Sequence, residues 1–213
     1  MGDVLATLVI YEGQYEVRHS REDGIGVSKF VAIDDVASAF SREPIDSGWI
    51  PSCVVRIGRC RSGPFVVARF PPTRYTCGLD RPDGSVEPLT VPLPGLVIFG
   101  CGTSYSVWAI AGSKFRPDAP ALHAPFPNVG HEGAICFGSH VPPRASGLTI
   151  QAACELFLGT SFNDHQIAGK SRAHHEDVRR QLRAVAGKNR YPVLDLVQMG
   201  TTIEKLVRWQ VDR

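Results

Sequence analysis

Apolar and polar positions change period three times along the chain. Residues 4–11 and 14–19 are rich in β-branched and aromatic side chains on either side of Glu12-Gly13, which predicts an opening hairpin. From Phe30 to Phe40 the apolar positions Phe30, Ile33, Val36, Ala37 and Phe40 recur at three and four, the spacing of one face of a short helix that ends before Pro44. Between residues 51 and 111 the pattern returns to β. Residues 53–57, 64–70, 95–99 and 105–110 are separated by Pro71-Pro72, Pro82-Asp83-Gly84 and Gly100-Cys101-Gly102, the punctuation of an antiparallel meander.

Residues 112–147 follow neither period. They hold six prolines, Pro117, Pro120, Pro125, Pro127, Pro142 and Pro143, and read as one irregular crossing, which in a compact domain is functional or disordered. Helical spacing then resumes. Ile150, Ala153, Cys154 and Phe157 lie at i, i+3, i+4 and i+7 behind Thr149 as cap, which puts Cys154 on a buried face. Val178, Leu182 and Val185 mark a second helix. Around it Lys170, Arg172, Arg179, Arg180, Arg183, Lys188 and Arg190 outnumber Glu176 and Asp177, and the basic helix from Arg172 to Arg190 reads as a solvated face, with docking of an acidic partner or a phosphate backbone as the alternative. Pro192 suits the first turn of a third helix that Gly200 stops, and Thr201 with Glu204 forms a capping box for a last one carrying Ile203, Leu206 and Val207.

Composition narrows the class without naming a partner. The 213 residues are 43% hydrophobic and 21% charged, with a mean hydropathy of −0.05, the profile of a soluble globular chain long enough for a real core. A formal charge of +2 makes no case for nucleic acid or for a membrane surface. Residues 1–20 include Asp3, Glu12 and Glu16, with no basic n-region and no small-residue cleavage site, so no export signal is read. Position 6 is Ala, so Met1-Gly2 does not open a myristoylation motif, and no apolar run approaches the roughly 18 residues of a membrane span. Cys53, Cys60, Cys77, Cys101, Cys136 and Cys154 form no CxxC pair and no zinc-like spacing. They are expected as free thiols in a reducing cytoplasm. His174-His175-Glu176 lacks a second ligand pair, and no metal site is expected. Trp49, Trp108 and Trp209 are read as core or interface anchors, and Phe30, Phe40 and Leu182 as core.

The common catalytic motifs, GxxxxGK[ST], HExxH and GxSxG, are missing. Gly24-Ile25-Gly26 and Gly100-Cys101-Gly102 lack the third glycine and the following helix of a dinucleotide site and read as turns. Chemistry therefore concentrates in residues 124–138, Ala-Pro-Phe-Pro-Asn-Val-Gly-His-Glu-Gly-Ala-Ile-Cys-Phe-Gly. Cys136, in a loop, is a more accessible nucleophile than Cys154 on a helix face, and Asn128 offers an amide donor to an oxyanion formed when sulfur attacks a carbonyl. Gly130 and Gly133 allow the chain to double back so that the two side chains meet. The plain alternative is a loop thiol and an Asx-turn asparagine.

Pro127-Asn128 with Cys136 eight positions beyond Asn128, in the frame Asn-Val-(5)-Ile-Cys, resembles the active-site segment of ubiquitin-conjugating enzymes, where a His-Pro-Asn tripeptide precedes the catalytic cysteine. The order of elements agrees: meander, irregular crossing, cysteine, helices. With Pro94-Gly95-Leu96-Val97 and Phe157-x-x-x-x-Phe162, the segment looks like the bacterial branch, PRTRC system protein B and the conjugating enzymes of bacterial ubiquitin-like modification (antiphage) operons. The resemblance implies an α+β fold, an antiparallel meander sheet flanked by helices, in a single domain over 1–213 with its core at about 50–165, an N-terminal strand and helix elaboration over 1–49 and C-terminal helices over 166–213. It implies that Cys136 accepts a ubiquitin-like protein as a thioester from an activating enzyme and passes it to an amine of a target protein. Asn128 then supports the oxyanion and Pro127 sets its backbone. No metal or organic cofactor is needed, because the activating enzyme spends the ATP.

The chain also departs from the family pattern. Phe126 stands in place of the tripeptide's histidine, the family's downstream tryptophan has no match, and the chain opens with strands where eukaryotic members open with a helix. His140 and Asp164 are the candidates for active-site support. Two other readings stay open: a Cys/His thiol hydrolase with His131, His140 or His165 as base, and a non-catalytic module that binds a ubiquitin-like protein.

Overall fold

A computed structural model of the chain describes residues 6–12, 14–20, 26–36 and 48–213, which divide into two units, Met1–Trp49 and Ile50–Arg213. The first unit is an antiparallel sheet of β1 (Ala6–Tyr11), β2 (Gln14–Ser20) and β3 (Gly26–Val31), in that order. The hairpin forms as the sequence predicts, with Tyr11 opposite Gln14 across the turn. The predicted helix does not begin at Phe30. That residue lies in β3 opposite Glu16 with its side chain exposed, and helical backbone starts only at Ile33. The apolar positions Val27, Phe30 and Val31 also have helical spacing, and pairing with β2 over the whole of β3 overrides it. Ala37 and Phe40 lie outside the described residues.

The second unit is built on six strands in the order β12-β10-β9-β8-β5-β4. These are β4 (Val54–Cys60), β5 (Gly63–Phe70), β8 (Gly95–Cys101), β9 (Ser104–Ile110), β10 (Pro120–His123) and β12 (Gln198–Thr202), every neighbouring pair antiparallel. The hairpin of β6 (Thr73–Asp80) and β7 (Val86–Leu93) leaves the meander and makes a smaller sheet, with β11 (Ser161–Phe162) parallel to β6. Three helices follow, α1 (Ile150–Gly159), α2 (Val178–Val185) and α3 (Ile203–Asp212). Among the described residues no helix is long and apolar enough to cross a membrane.

Residues 95–100 of β8 are all buried, because the large sheet is covered on both faces. Val66, Ala68, Leu96, Ile98 and Val107 point into one core with Ala153 and Phe157 of α1 and Leu182 of α2. Phe65, Val67, Val97, Phe99, Trp108 and Ile110 point into the other with Ile203 and Val207 of α3. α1 buries Ile150, Ala153, Cys154 and Phe157 as its period requires, although Thr149 makes no capping bond and instead donates its hydroxyl to the Arg144 carbonyl at 2.6 Å.

Three further expectations are corrected. Residues 120–123, inside the stretch read as irregular, form β10, a strand too short to show a period and ordered by β9 and β12. The helix expected after Pro192 is a single 3₁₀ turn, Val193–Asp195, and Gly200 lies inside β12. It adopts φ +69° beside a register shift between Pro120 and Leu122, so it makes a bulge in a strand and does not stop a helix. α3 is capped by Thr202, whose hydroxyl accepts the Lys205 amide at 3.4 Å, one residue beyond the expected Thr201. Trp108 is fully buried, whereas Trp49 and Trp209 are exposed.

Candidate functional site

The chain leaves β10 at His123 and runs buried from Ala124 to Val129. Phe126 is fully enclosed, its ring centroid 5.6 Å from Phe157 and 5.6 Å from Phe162. Pro127 is buried behind it. Asn128 then turns with φ +59°, left-handed backbone that asparagine tolerates better than most residues. The turn aims its amide N–H at the His165 carbonyl (2.9 Å) and its own carbonyl at the Cys136 amide N–H (2.8 Å).

Between these two residues the chain makes a tight flap. Val129 pairs with Ile135, and the Gly130 amide donates to the Ala134 carbonyl at 2.8 Å. The return arm pairs with the end of β9 that β10 leaves free: the Val107 amide donates to the Gly133 carbonyl at 2.8 Å and the Ile135 amide to the Tyr105 carbonyl at 2.9 Å. Gly133, at φ +93°, is required here, because a Cβ would lie 2.4 Å from Trp108 Nε1, which donates to the Glu132 carbonyl at 3.0 Å. Cys136 emerges exposed. The next residue, Phe137, is buried against Tyr105 (5.7 Å between centroids) and Phe157 (6.1 Å), so aromatic anchors fix the chain on both sides of the site.

Asn128 is itself buried, and its Oδ1 has no hydrogen-bond partner. An unmatched buried acceptor costs about 1–3 kcal/mol, so the surrounding loop must enforce this arrangement. The restraint is a residue of the basic stretch that the sequence did not single out. Lys170 is 1% exposed, and its Nζ donates to the carbonyls of Phe126 (2.6 Å), Val129 (2.5 Å) and Gln166. Burial pushes this ammonium down to about 7, and the three carbonyl acceptors oppose that shift by favouring the charged form. No sequence signal distinguishes Lys170 from the exposed Arg172, Arg180, Lys188 and Arg190. Elsewhere in the basic stretch Arg179 pairs with Asp177 at 3.0 Å and Arg183 with Glu87 at 3.0 Å.

The other candidates lie around this loop. His140 is exposed and folds back on its own turn, Nδ1 3.3 Å from the Phe137 carbonyl. Asp164 is exposed on the segment whose His165 carbonyl holds Asn128, and its charge adds the smallest part to the rise of the Arg179 guanidinium, which the bond to Asp177 dominates. His131 is exposed and meets His123 edge-on at 5.9 Å. Among the described residues no side chain of His131, His140, Asp164 or His165 is hydrogen-bonded to Cys136 or Asn128. No group of three or more His, Cys, Asp or Glu among them could hold a metal ion.

The arrangement presents a solvent-facing thiol tied through its own backbone to a buried asparagine, with no histidine among the described residues hydrogen-bonded to it. Such a set suits thioester exchange, in which sulfur is both nucleophile and leaving group and little acid–base help is needed. Residues 30–199 match the family model for prokaryotic E2 family D. No curated protein and no solved structure matches the chain.

Proposed function

Because the chain belongs to prokaryotic E2 family D, whose members are conjugating-enzyme-like, we propose that Cys136 carries the C-terminus of a ubiquitin-like protein as a thioester. The Cys136 thiolate attacks the thioester carbonyl presented by an activating enzyme and releases that enzyme's thiol. A target amine then attacks the Cys136 thioester, an amide forms, and the Cys136 thiolate leaves. Asn128 donates from its side-chain amide to the oxyanion of the second step, and Pro127 limits the backbone on which that amide is carried. His140 and Asp164 are exposed on the loops that bear Cys136 and the His165 carbonyl, and we assign them to support of the incoming amine.

The observation that carries this reading is the 2.8 Å bond from the Cys136 amide to the Asn128 carbonyl, which joins an exposed thiol to the asparagine across a seven-residue flap. The lack of any histidine bonded to Cys136 among the described residues counts against a thiol hydrolase. A free exposed thiol suits a reducing compartment, so we place the activity in the cytoplasm, with no cofactor of its own. The resemblance to PRTRC system protein B and to conjugating enzymes of antiphage operons is carried by residues 94–97, 124–138 and 157–162, and we propose that the chain acts in such a system.

The test is a charging assay with a bacterial activating enzyme, its ubiquitin-like protein and ATP, run with and without thiol reductant. A reductant-sensitive adduct of the modifier's size that vanishes in Cys136→Ala and persists in Cys154→Ala supports the reading. No adduct with a demonstrably active activating enzyme refutes it.

A further inference from the structure

We propose that Lys170 is a positioning residue for acyl transfer: its ammonium clamps the two ends of the turn that carries Asn128 and so fixes where the asparagine amide meets the Cys136 thioester. The inference rests on the conjugating reading of Cys136. Two of its three acceptors, the carbonyls of Phe126 and Val129, stand on either side of Pro127-Asn128. The third, the Gln166 carbonyl, adjoins His165, whose own carbonyl accepts the Asn128 amide. Three N–H donors meet three carbonyls, and among the described residues no carboxylate is bonded to the ammonium.

The lysine is held from both sides. The Gly169 amide donates to the His175 carbonyl at 2.7 Å. The Asp195 carboxylate accepts the Ser171 hydroxyl at 3.0 Å and the Ala173 amide at 2.8 Å, and the Arg172 amide donates to the Asp195 carbonyl at 2.8 Å. Lys170 therefore reaches the turn from a fixed base. An apolar side chain of the same length would avoid the desolvation of a charge but would leave the Phe126, Val129 and Gln166 carbonyls without this donor, so the lysine holds the turn by satisfying all three at once. The local peculiarities that need enforcement are both at Asn128: a left-handed φ and a buried Oδ1 without partner. Phe126 explains why a clamp is needed. Its side chain is wholly committed to the aromatic core and offers no polar atom to the turn, so the carbonyl restraint comes from 44 residues away.

Lys170→Met keeps the stem and removes all three donors. It is expected to lower discharge of purified thioester to hydroxylamine by about tenfold, a loss well above any loss in charging. In the double variant with Asn128→Ala, discharge should fall no further than in Asn128→Ala alone, because both changes remove one function. Amide exchange should rise over residues 124–138 and stay unchanged over α1. Discharge at the wild-type rate, a double variant showing the product of the two losses, or exchange raised evenly over residues 50–213 would each overturn the proposal. Where Lys170→Met does not fold, Lys170→Arg, which keeps charge and donors at a longer reach, is expected to fold and show the same separation. If neither variant folds while Asn128→Ala does, Lys170 is a folding residue and the proposal fails. A wild-type chain that never charges refutes the conjugating reading, and the exchange pattern then decides the clamp by itself.

Discussion

The Cys136 amide donates to the Asn128 carbonyl at 2.8 Å, so the proposed nucleophile and its proposed oxyanion donor share one backbone hydrogen bond across the flap. The side chain and the backbone of Asn128 can consequently be tested apart. Asn128→Ala removes the amide and places a Cβ without local hydrogen bonding at φ +59°, whereas Asn128→Gly removes the amide and relaxes the backbone. Both are expected to slow discharge by about 10²–10³ while leaving a charged thioester to accumulate. Asn128→Gly should be the more stable of the two by about 1 kcal/mol in denaturant unfolding. Equal stabilities would contradict the backbone account.

Gly133→Ala tests the flap. Its Cβ would stand 2.4 Å from Trp108 Nε1 and 2.9 Å from the Val107 carbonyl, neither of them at the end of a flexible chain. The substitution is expected to cost about 2–4 kcal/mol and to shift the emission of Trp108. Gly84→Ala is the control: it shares a positive φ, +81°, with nothing within 4 Å, and should lose about 1 kcal/mol.

Phe126→His restores the tripeptide of the wider family and should not help. The ring would enter a wholly enclosed aromatic site between Phe157 and Phe162, with the Lys170 ammonium bonded to its own carbonyl and opposing protonation. A loss of about 2–4 kcal/mol is expected, read as a lower thermal midpoint. Unchanged or improved stability would show that the aromatic cluster is not what holds this end of the loop.

Thiol chemistry should separate the cysteines. Burial pushes Cys77 up to about 11 and Cys154 up to about 12, while Cys136 is exposed. At pH 8 iodoacetamide should label Cys136 first, spare Cys77 and Cys154, and reach all six thiols only after denaturation. The sign of the linked stability follows. Above about pH 9 the unfolded chain releases thiol protons that the native state retains, so stability present below that pH is lost as pH rises toward 11–12. The thermal midpoint should therefore fall more steeply from pH 9 to 11 in the wild type than in Cys154→Ala.

Much of this arrangement is legible in the sequence because it is local. The meander strands, the buried face of α1 and the prominence of residues 124–138 follow from period, punctuation and the placement of one thiol. What escaped depends on partners far away in the chain. β10 and β12 exist because they pair with each other across about eighty residues, and the glycine that marks the bulge in β12 reads in isolation as a helix stop. Phe30 has the spacing of a helix face, and only its strand partner overrides that spacing. Lys170 is the clearest case. A lysine in a basic stretch is expected in solvent, and nothing short of the three carbonyls converging from residues 126, 129 and 166 marks it as buried.

The most direct test is to map the adduct. The product formed with the activating enzyme, the ubiquitin-like protein and ATP is digested without reduction, and the peptide bearing the modifier's C-terminus is identified by mass spectrometry. The account predicts that the C-terminus lies on Cys136, lost on treatment with thiol and converted in Cys136→Ser to an ester that thiol does not remove. A modifier found on Cys53, Cys60 or Cys101, or on a lysine in an adduct that thiol leaves intact, would contradict it.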